Sequence, residues 1–404
     1  MVHVTENKKV LLINVTCGSG STGRIVTGLY DLLTQKGYTC MVAYGRGSAP
    51  EGYTSYRIGT DFSVNVHGAL SRVTDQQGFY SKGATRRLIE VIKKFKPDII
   101  HLHNIHGYYI NVEMLFGFLK HSAIQVIWTL HDCWSFTGHC THFEYIGCNK
   151  WQTGCYSCEQ LREYPKSILC DHSQKNYEVK KRIFTGLSGM QLVTPSEWLK
   201  SKVVHSYMNQ YEITVIPTGI ELSVFHPVEM NFRKKYGLEN DYIILGAANP
   251  WRERKGLYEF YKLSKSLPAH MKIVLIGLND KQKAELPPEI LGLSRTDNIE
   301  EMAAWYSTAD VYMNLTLEDT FPTTNIEALA CGTPVITYRA GGSPESIDET
   351  CGMVVERGNT VGILAALDLL KNGEDREKSC IQRSLLYSKE KRFLQYYEEV
   401  YAKW

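Results

Sequence analysis

The hydrophobic positions of this chain fall into two series in which short apolar runs alternate with amphipathic stretches. Val10 to Val15 is apolar except for Asn14 and runs into a glycine-rich segment, the pattern of a parallel strand buried on both faces. Ile25, Leu29, Leu32 and Leu33 follow at helical spacing. Thr39 to Tyr44 reads as the next strand. Leu88, Ile89, Ile92 and Phe95 mark a second amphipathic helix, which Pro97 ends. Ile99 to His103, Val126 to His131 and Met190 to Thr194 read as three further strands. Alternation of this kind predicts a parallel sheet with helices on both faces.

Ile213 to Ile220 reads as a strand running into Pro217 and Gly219, and it is the predicted domain junction. The alternation restarts with strands at Tyr242 to Gly246, Lys272 to Gly277 and Ala309 to Asn314. Beyond them, Pro322 disfavours helical geometry at Phe321 but suits a first helical turn. This predicts a helix from about Pro322 to Cys331, stopped by Gly332, with a buried strand opening at Pro334. Near the end, Phe393, Tyr397, Val400 and Trp404 share one helical stripe. The expectation is an α/β fold of two doubly wound Rossmann-like domains facing across a cleft. They would span residues 1–217 and 218–385, with a C-terminal helix at 386–404 packing back on the first domain.

The length of 404 residues suffices for two cores, and 43% hydrophobic with 22% charged residues is ordinary for a globular protein. A formal net charge of +2 gives no whole-chain bias toward nucleic acid. No apolar run approaches the ~20 residues of a membrane-spanning helix. Met1 to Lys9 is polar and leads straight into a strand, so no signal peptide is expected and the expected location is cytoplasmic. Eleven cysteines, an odd count without a secretion signal, argue against a disulfide framework.

Several segments carry candidate chemistry. Asp319 and Glu327 stand eight positions apart, one on a loop and one on the predicted helix. A helix N-terminus flanked by two carboxylates suits a ligand with both phosphate and hydroxyl groups, such as a nucleotide sugar. Asn249 to Gly256 follows a strand and holds three cations in four positions, of which Arg252 and Lys255 suit a pyrophosphate. Gly18, Gly20 and Gly23 follow the first strand and allow close backbone approach to a ligand. They match a dinucleotide fingerprint, but the next strand ends Tyr44-Gly45-Arg46 without the acidic residue NAD binding requires. His101, His103 and His106 follow another strand; their spacing is generic, and an acceptor-side or structural loop is favoured over a metal site.

Cys133, Cys140, Cys148, Cys155 and Cys158 crowd into 26 residues, with Cys170 close behind, in an insertion at about 133–170. Cys155-x-x-Cys158 is half of a structural zinc knuckle, and Cys140 and Cys148 would complete four thiolates. The segment shows no apolar periodicity, so a structural zinc would supply its folding energy. Reduced free thiols and an iron–sulfur cluster stay open beside zinc. Arg86, Arg87, Lys93, Lys94 and Lys96 give one helix a basic face, by default a solvated one.

The second half resembles the retaining glycosyltransferases of family 4, which have the GT-B fold. The resemblance rests on Asp319 and Glu327 at their eight-residue spacing and on Ala328-Leu329-Ala330-Cys331-Gly332-Thr333-Pro334-Val335. It extends to Arg252 and Lys255, to Pro217-Thr218-Gly219-Ile220-Glu221 and to Thr129-Leu130-His131-Asp132. Two departures stand out: Asp319 replaces a glutamate, and Pro322 replaces a usual glycine and lacks its N–H. The resemblance implies transfer of a hexosyl group from a nucleotide-diphosphate sugar to a saccharide acceptor. Arg252 and Lys255 would neutralise the leaving diphosphate without a catalytic metal. Glu327 would hold the ribose hydroxyls; Asp319 and His131 would lie at the donor sugar. Gly20, Gly219, Phe321, Thr323 and Thr324 would line the donor. Cysteine-rich insertions after His131-Asp132-Cys133-Trp134 resemble those of bacterial capsule and exopolysaccharide transferases of the colanic-acid type. That implies surface polysaccharide biosynthesis, a lipid-linked saccharide acceptor and peripheral contact with the inner face of the plasma membrane. A sugar-nucleotide epimerase and a zinc-bearing, non-catalytic sugar-nucleotide-binding protein are the alternatives.

Overall fold

A computed structural model describes residues 8–404; the stretch Met1 to Asn7, part of the N-terminal reading above, lies outside them. The chain divides into two compact units, one reaching Ile216 and including Phe393–Trp404, the other Pro217–Arg392.

The first unit carries a seven-stranded sheet of β1 (Lys9–Asn14), β2 (Thr39–Tyr44), β3 (Ser55–Arg57), β4 (Ile99–Leu102), β5 (Gln125–Thr129), β6 (Met190–Thr194) and β7 (Glu212–Val215). Its order is β3-β2-β1-β4-β5-β6-β7, and every pairing is parallel. Leu12 sits opposite both Val42 and His101, so β1 is central and its residues 10–14 are fully buried. Helices α1 (Gly20–Gln35), α2 (Asp61–Thr74) and α3 (Lys82–Phe95) follow β1 and β3. Thr60 caps α2 in a reciprocal capping box with Ser63.

The second unit holds a parallel sheet of β8 (Tyr242–Ala247), β9 (Met271–Ile276), β10 (Ile290–Leu293), β11 (Val311–Asn314), β12 (Val335–Tyr338) and β13 (Gly352–Val355). The order is β10-β9-β8-β11-β12-β13. Both sheets therefore reverse direction of growth once, between β1 and β4 and between β8 and β11. Such reversals leave a crevice at the strands' C-terminal ends where ligands bind.

The chain re-enters the first unit at Phe393, and residues 386–392 belong with the second. Phe393, Tyr396, Val400 and Tyr401 pack on Val10, Leu12, Ile99 and Ile127. The expected stripe included Tyr397 and Trp404 instead. A π-helical turn at Tyr397–Tyr401 follows the α-helix Lys389–Tyr396, widens the turn and shifts the buried register to Tyr396 and Tyr401.

Candidate active site

In the second unit the charged residues follow β8 and β11, on either side of the reversal. Glu253–Lys255 forms a single 3-10 turn ended by Gly256. Gly256 has φ 76°, and a Cβ there would lie 2.0 Å from the Leu315 carbonyl oxygen, so only glycine fits. The turn is fastened to the segment after β11. Leu317 N–H donates to the Arg254 carbonyl at 2.7 Å, the Thr316 hydroxyl donates to the same oxygen at 3.2 Å, and the Arg254 guanidinium donates to the Glu318 carbonyl. This fastening sets Lys255 Nζ 2.5 Å from Asp319 Oδ2, with Arg254 3.8 Å from that oxygen. The Asp319 backbone is clamped as well, its carbonyl accepting Gly342 N–H at 2.8 Å. Arg252 opens the turn and is exposed.

The helix Thr323–Ala330 begins directly after Pro322, which offers no side-chain cap. Its first-turn N–H groups, those of Thr323 and Thr324 included, have no acceptor within the helix and carry the positive end of its dipole. Buried Asn325 anchors this start: it accepts from Asn314 at 2.8 Å and donates to Ser346 at 2.9 Å. One turn on, Glu327 accepts a hydrogen bond from the Tyr306 hydroxyl at 3.0 Å. Burial, and then the Glu327 charge, push the Tyr306 pKa well above its ordinary value, so Tyr306 remains the donor.

In the first unit, Gly18 (φ 74°) packs so closely that a Cβ would meet Pro50 Cγ at 2.5 Å, and Gly20 opens α1. Asn14 joins this loop to the one after β4: its amide donates to the Thr16 carbonyl at 2.8 Å, and its oxygen accepts Asn104 N–H at 3.2 Å. A histidine group fills the ends of β4 and β5. His103 Nδ1 lies 3.2 Å from His131 Nε2 with the rings stacked. His106 Nε2 lies 2.9 Å from Asp132 Oδ2, and its Nδ1 lies 3.1 Å from the Tyr164 hydroxyl, which also accepts from Gln77 at 2.9 Å. Burial drives His101 down to about 3, His103 well below its ordinary value and His131 to about 4, so all three are neutral at neutral pH. Burial opposes ionisation of Asp132, but His106 and the Trp134 N–H hold its carboxyl at about 2.

The structure thus gathers Lys255, Asp319, Phe321, Thr323, Thr324 and Glu327 around one loop and helix start, with Arg252 at its exposed edge. Gly20 and His131 share the C-terminal edge of the first sheet. Gly219 has a separate reason to be glycine: a Cβ there would lie 2.8 Å from Lys389 Cα, where Ile220 bridges to Ser388. Phe321 reaches the same segment, with its ring 5.6 Å from that of Tyr387. Sequence reasoning missed Arg254 as the loop's fastener and Tyr306, Asn325 and Tyr164 as partners. Arg254 was visible within the cation run; the other three lie in segments where one polar group leaves no periodic signal.

The insertion is packed by buried aromatic rings. Phe136, Phe143 and Trp151 are buried and in mutual ring contact, with Phe143 and Trp151 stacked at 4.8 Å. Buried Lys180 donates to the Trp134 and Thr137 carbonyls at 2.9 and 3.1 Å, and His139 pairs with Asp75. The insertion's apolar side chains thus join the core of the first unit, and its polar anchors Lys180 and Asp75 lie outside the insertion. Cys140 and Cys158 share a hydrogen bond that lowers the Cys158 pKa, and Cys155 Sγ accepts Gly138 N–H at 3.2 Å. Among the described residues, no three His, Cys, Asp or Glu side chains are grouped to hold a metal ion.

Comparison with known proteins adds an independent line. Residues 22–224 match the description Glycosyltransferase Family 4, and residues 240–372 match Glycosyl transferases group 1. WcaC of Escherichia coli (strain K12), whose name assigns it provisionally to colanic acid biosynthesis as a glycosyl transferase, is 23% identical over 375 residues, covering 86% of this chain and 87% of its own. Sucrose-phosphate synthase from Thermosynechococcus elongatus superposes with a TM-score of 0.73 at 18% identity, covering 98% of this chain and 100% of that one. Anabaena HepE, solved in complex with UDP, superposes at 0.66 with 12% identity and coverages of 98% and 100%. The structural likenesses establish the fold: two parallel-sheet Rossmann-like domains of the GT-B type.

Proposed function

We propose that this chain, which belongs to glycosyltransferase family 4, moves a hexosyl group from a nucleotide-diphosphate sugar to a saccharide acceptor with retention of configuration. The observation that carries this reading is the 2.5 Å contact of Lys255 with Asp319, made beside the uncapped start of the Thr323–Ala330 helix. A fixed cation next to a helix N-terminus is preorganised for a diphosphate, and the carboxylate beside it suits sugar hydroxyls. When the bond from the anomeric carbon to the phosphate oxygen breaks, negative charge grows on the diphosphate. Lys255, Arg252 and the Thr323 and Thr324 N–H groups meet that charge without a metal. Glu327, oriented by Tyr306, takes the ribose hydroxyls. Neutral His131 serves the sugar as a hydrogen-bonding group. The departing diphosphate accepts the acceptor's proton on the same face of the sugar, so Asp319 and Glu327 are not the acid and nucleophile of a glycosidase.

The relation to WcaC supports a saccharide acceptor in polysaccharide biosynthesis; that this saccharide is carried on a lipid at the cytoplasmic face of the plasma membrane is part of the same proposal. No helix among the described residues is long and apolar enough to cross a membrane. HepE's complex with UDP makes UDP and UDP-sugars the first probes, followed by GDP- and ADP-sugars in a thermal-shift screen. The test is Glu327→Ala, titrated calorimetrically with the nucleotide sugar that stabilises the native chain. Binding is expected to vanish while the melting temperature stays near the native one; undiminished affinity would refute the ribose role.

A further inference from the structure

Two guanidinium groups of the first unit face one phenol, that of Tyr108. Arg46 lies two residues beyond β2, where its N–H donates to the Val15 carbonyl at 2.8 Å. Its guanidinium lies over the Tyr108 ring, 5.3 Å from the centroid. Among the described residues no carboxylate pairs with it, and its Nε is buried without a hydrogen-bond partner. Arg72 reaches the same ring from α2. A Cβ at Gly68 would lie 3.7 Å from Tyr108 Cδ2, so the ring packs against the helix there. Arg72 stands four residues on, on the same face, and a helical side chain leans back toward the N-terminus, over Gly68. Arg72 is exposed and also makes no ion pair among the described residues.

Tyr108 itself is 7% exposed, and its hydroxyl has no hydrogen-bond partner among the described residues. Burial raises its pKa, while the charges of Arg72 and then Arg46 act against that rise. The hydroxyl therefore keeps its proton and can donate it. The acids that could neutralise the two cations are engaged elsewhere: Asp132 pairs with His106, and Asp75 with His139. Leaving a half-buried guanidinium and a buried hydroxyl without partners is costly, so the arrangement calls for an acceptor of hydrogen bonds. Two planar forks of N–H donors and one phenol O–H match the lone pairs of a carboxylate or a phosphate. We infer that Arg46, Arg72 and Tyr108 form a subsite for an oxyanion, a uronate carboxylate or a phosphate ester, carried by the saccharide acceptor.

The subsite adjoins the histidine group. The Tyr108 and Tyr164 rings are 6.1 Å apart, and the Tyr164 hydroxyl lies 3.1 Å from His106, whose other nitrogen pairs with Asp132. A saccharide anchored by its anion at Arg46 would extend along this row toward His131. A neutral saccharide would leave the guanidinium groups unpaired, which makes the subsite a device for selecting the acceptor. That the anion belongs to the acceptor rests on the transferase reading; the binding of an oxyanion does not.

Calorimetric titration of the full chain with glucuronate, inorganic phosphate and, as the neutral control, glucose tests the inference. The native chain is expected to bind at least one of the two anions more tightly than glucose; glucuronate alone assigns a uronate, and phosphate alone a phosphate ester. Arg46→Gln should weaken that binding about tenfold or more, the effect of losing a charge-assisted hydrogen bond. Arg72→Gln, at an exposed position, and Tyr108→Phe, which keeps the ring, should each weaken it about threefold. All three variants should keep native melting behaviour and native nucleotide-sugar binding. Lys255→Ala, in the second unit, should keep the anion binding, so failure of the subsite and failure of the transferase reading are separable. Absence of binding for both anions, binding that Arg46→Gln and Arg72→Gln leave unchanged, or binding that only Lys255→Ala removes would overturn the inference.

Discussion

The backbone of Lys255 is held by the Gly256 turn, by Arg254 through its carbonyl and guanidinium, and by the clamped backbone of Asp319, while its Nζ pairs with the Asp319 carboxylate. The fold of the turn does not depend on the Lys255 charge, so charge and fold can be separated by mutation. Lys255→Ala is expected to lower kcat by about 10²–10³-fold, the ~2.7–4 kcal/mol typical of one preorganised donor, while the melting temperature changes little. Steady-state kinetics and a melting curve on the same preparation decide it; a variant that unfolds would make Lys255 structural. Asp319 and Glu327 were legible in the sequence because Pro322 and Gly332 bracket the helix between them. Tyr306 was not, because its ring satisfies the helix's apolar pattern and only the hydroxyl does other work.

At the scale of elements, β4 and β5 bring together His101, His103 and His131, which burial keeps neutral. Their pKa values lie below the ordinary 6.5, at about 3 for His101 and about 4 for His131. The unfolded chain therefore binds protons that the folded chain refuses, and stability rises with pH across that window. Stability should be level with respect to these groups above pH ~6.5 and should fall as pH drops toward ~4, at ~1.4 kcal/mol per unit for each group affected. Denaturant titrations from pH 7 to 4 check this; a flat profile would mean that the histidines are solvated. The strand ends themselves were readable from their apolar runs. The pairing of His103 with His131 was not, because it depends on β4 and β5 being neighbours in the sheet. Three edge strands, Ser55–Arg57, Ile290–Leu293 and Gly352–Val355, were also missed. Each is three or four residues long and half-buried, so none makes the continuous apolar run that marks a central strand.

At the scale of the whole molecule, two parallel sheets follow from the alternation of runs, but strand order does not. The order decides where function sits, since it puts the Gly18–Gly20 loop, the histidine group, the Arg252–Gly256 turn and Asp319 beside the two reversals. The C-terminal segment joins this architecture by filling the first unit's core with Phe393, Tyr396, Val400 and Tyr401. Truncation after Arg392 is expected to yield aggregated or protease-sensitive protein, because Val10 and Leu12 lose that cover; a truncated chain that melts like the native one would contradict this packing.

The central claim is a glycosyl transfer in which Lys255 and the Thr323–Ala330 helix receive the leaving diphosphate and no carboxylate attacks the sugar. The anomeric configuration of the product measures it most directly. With the nucleotide sugar selected by thermal shift and its saccharide acceptor, proton NMR of the initial product should show the donor's own configuration at the transferred carbon. Inversion at that carbon would contradict the account.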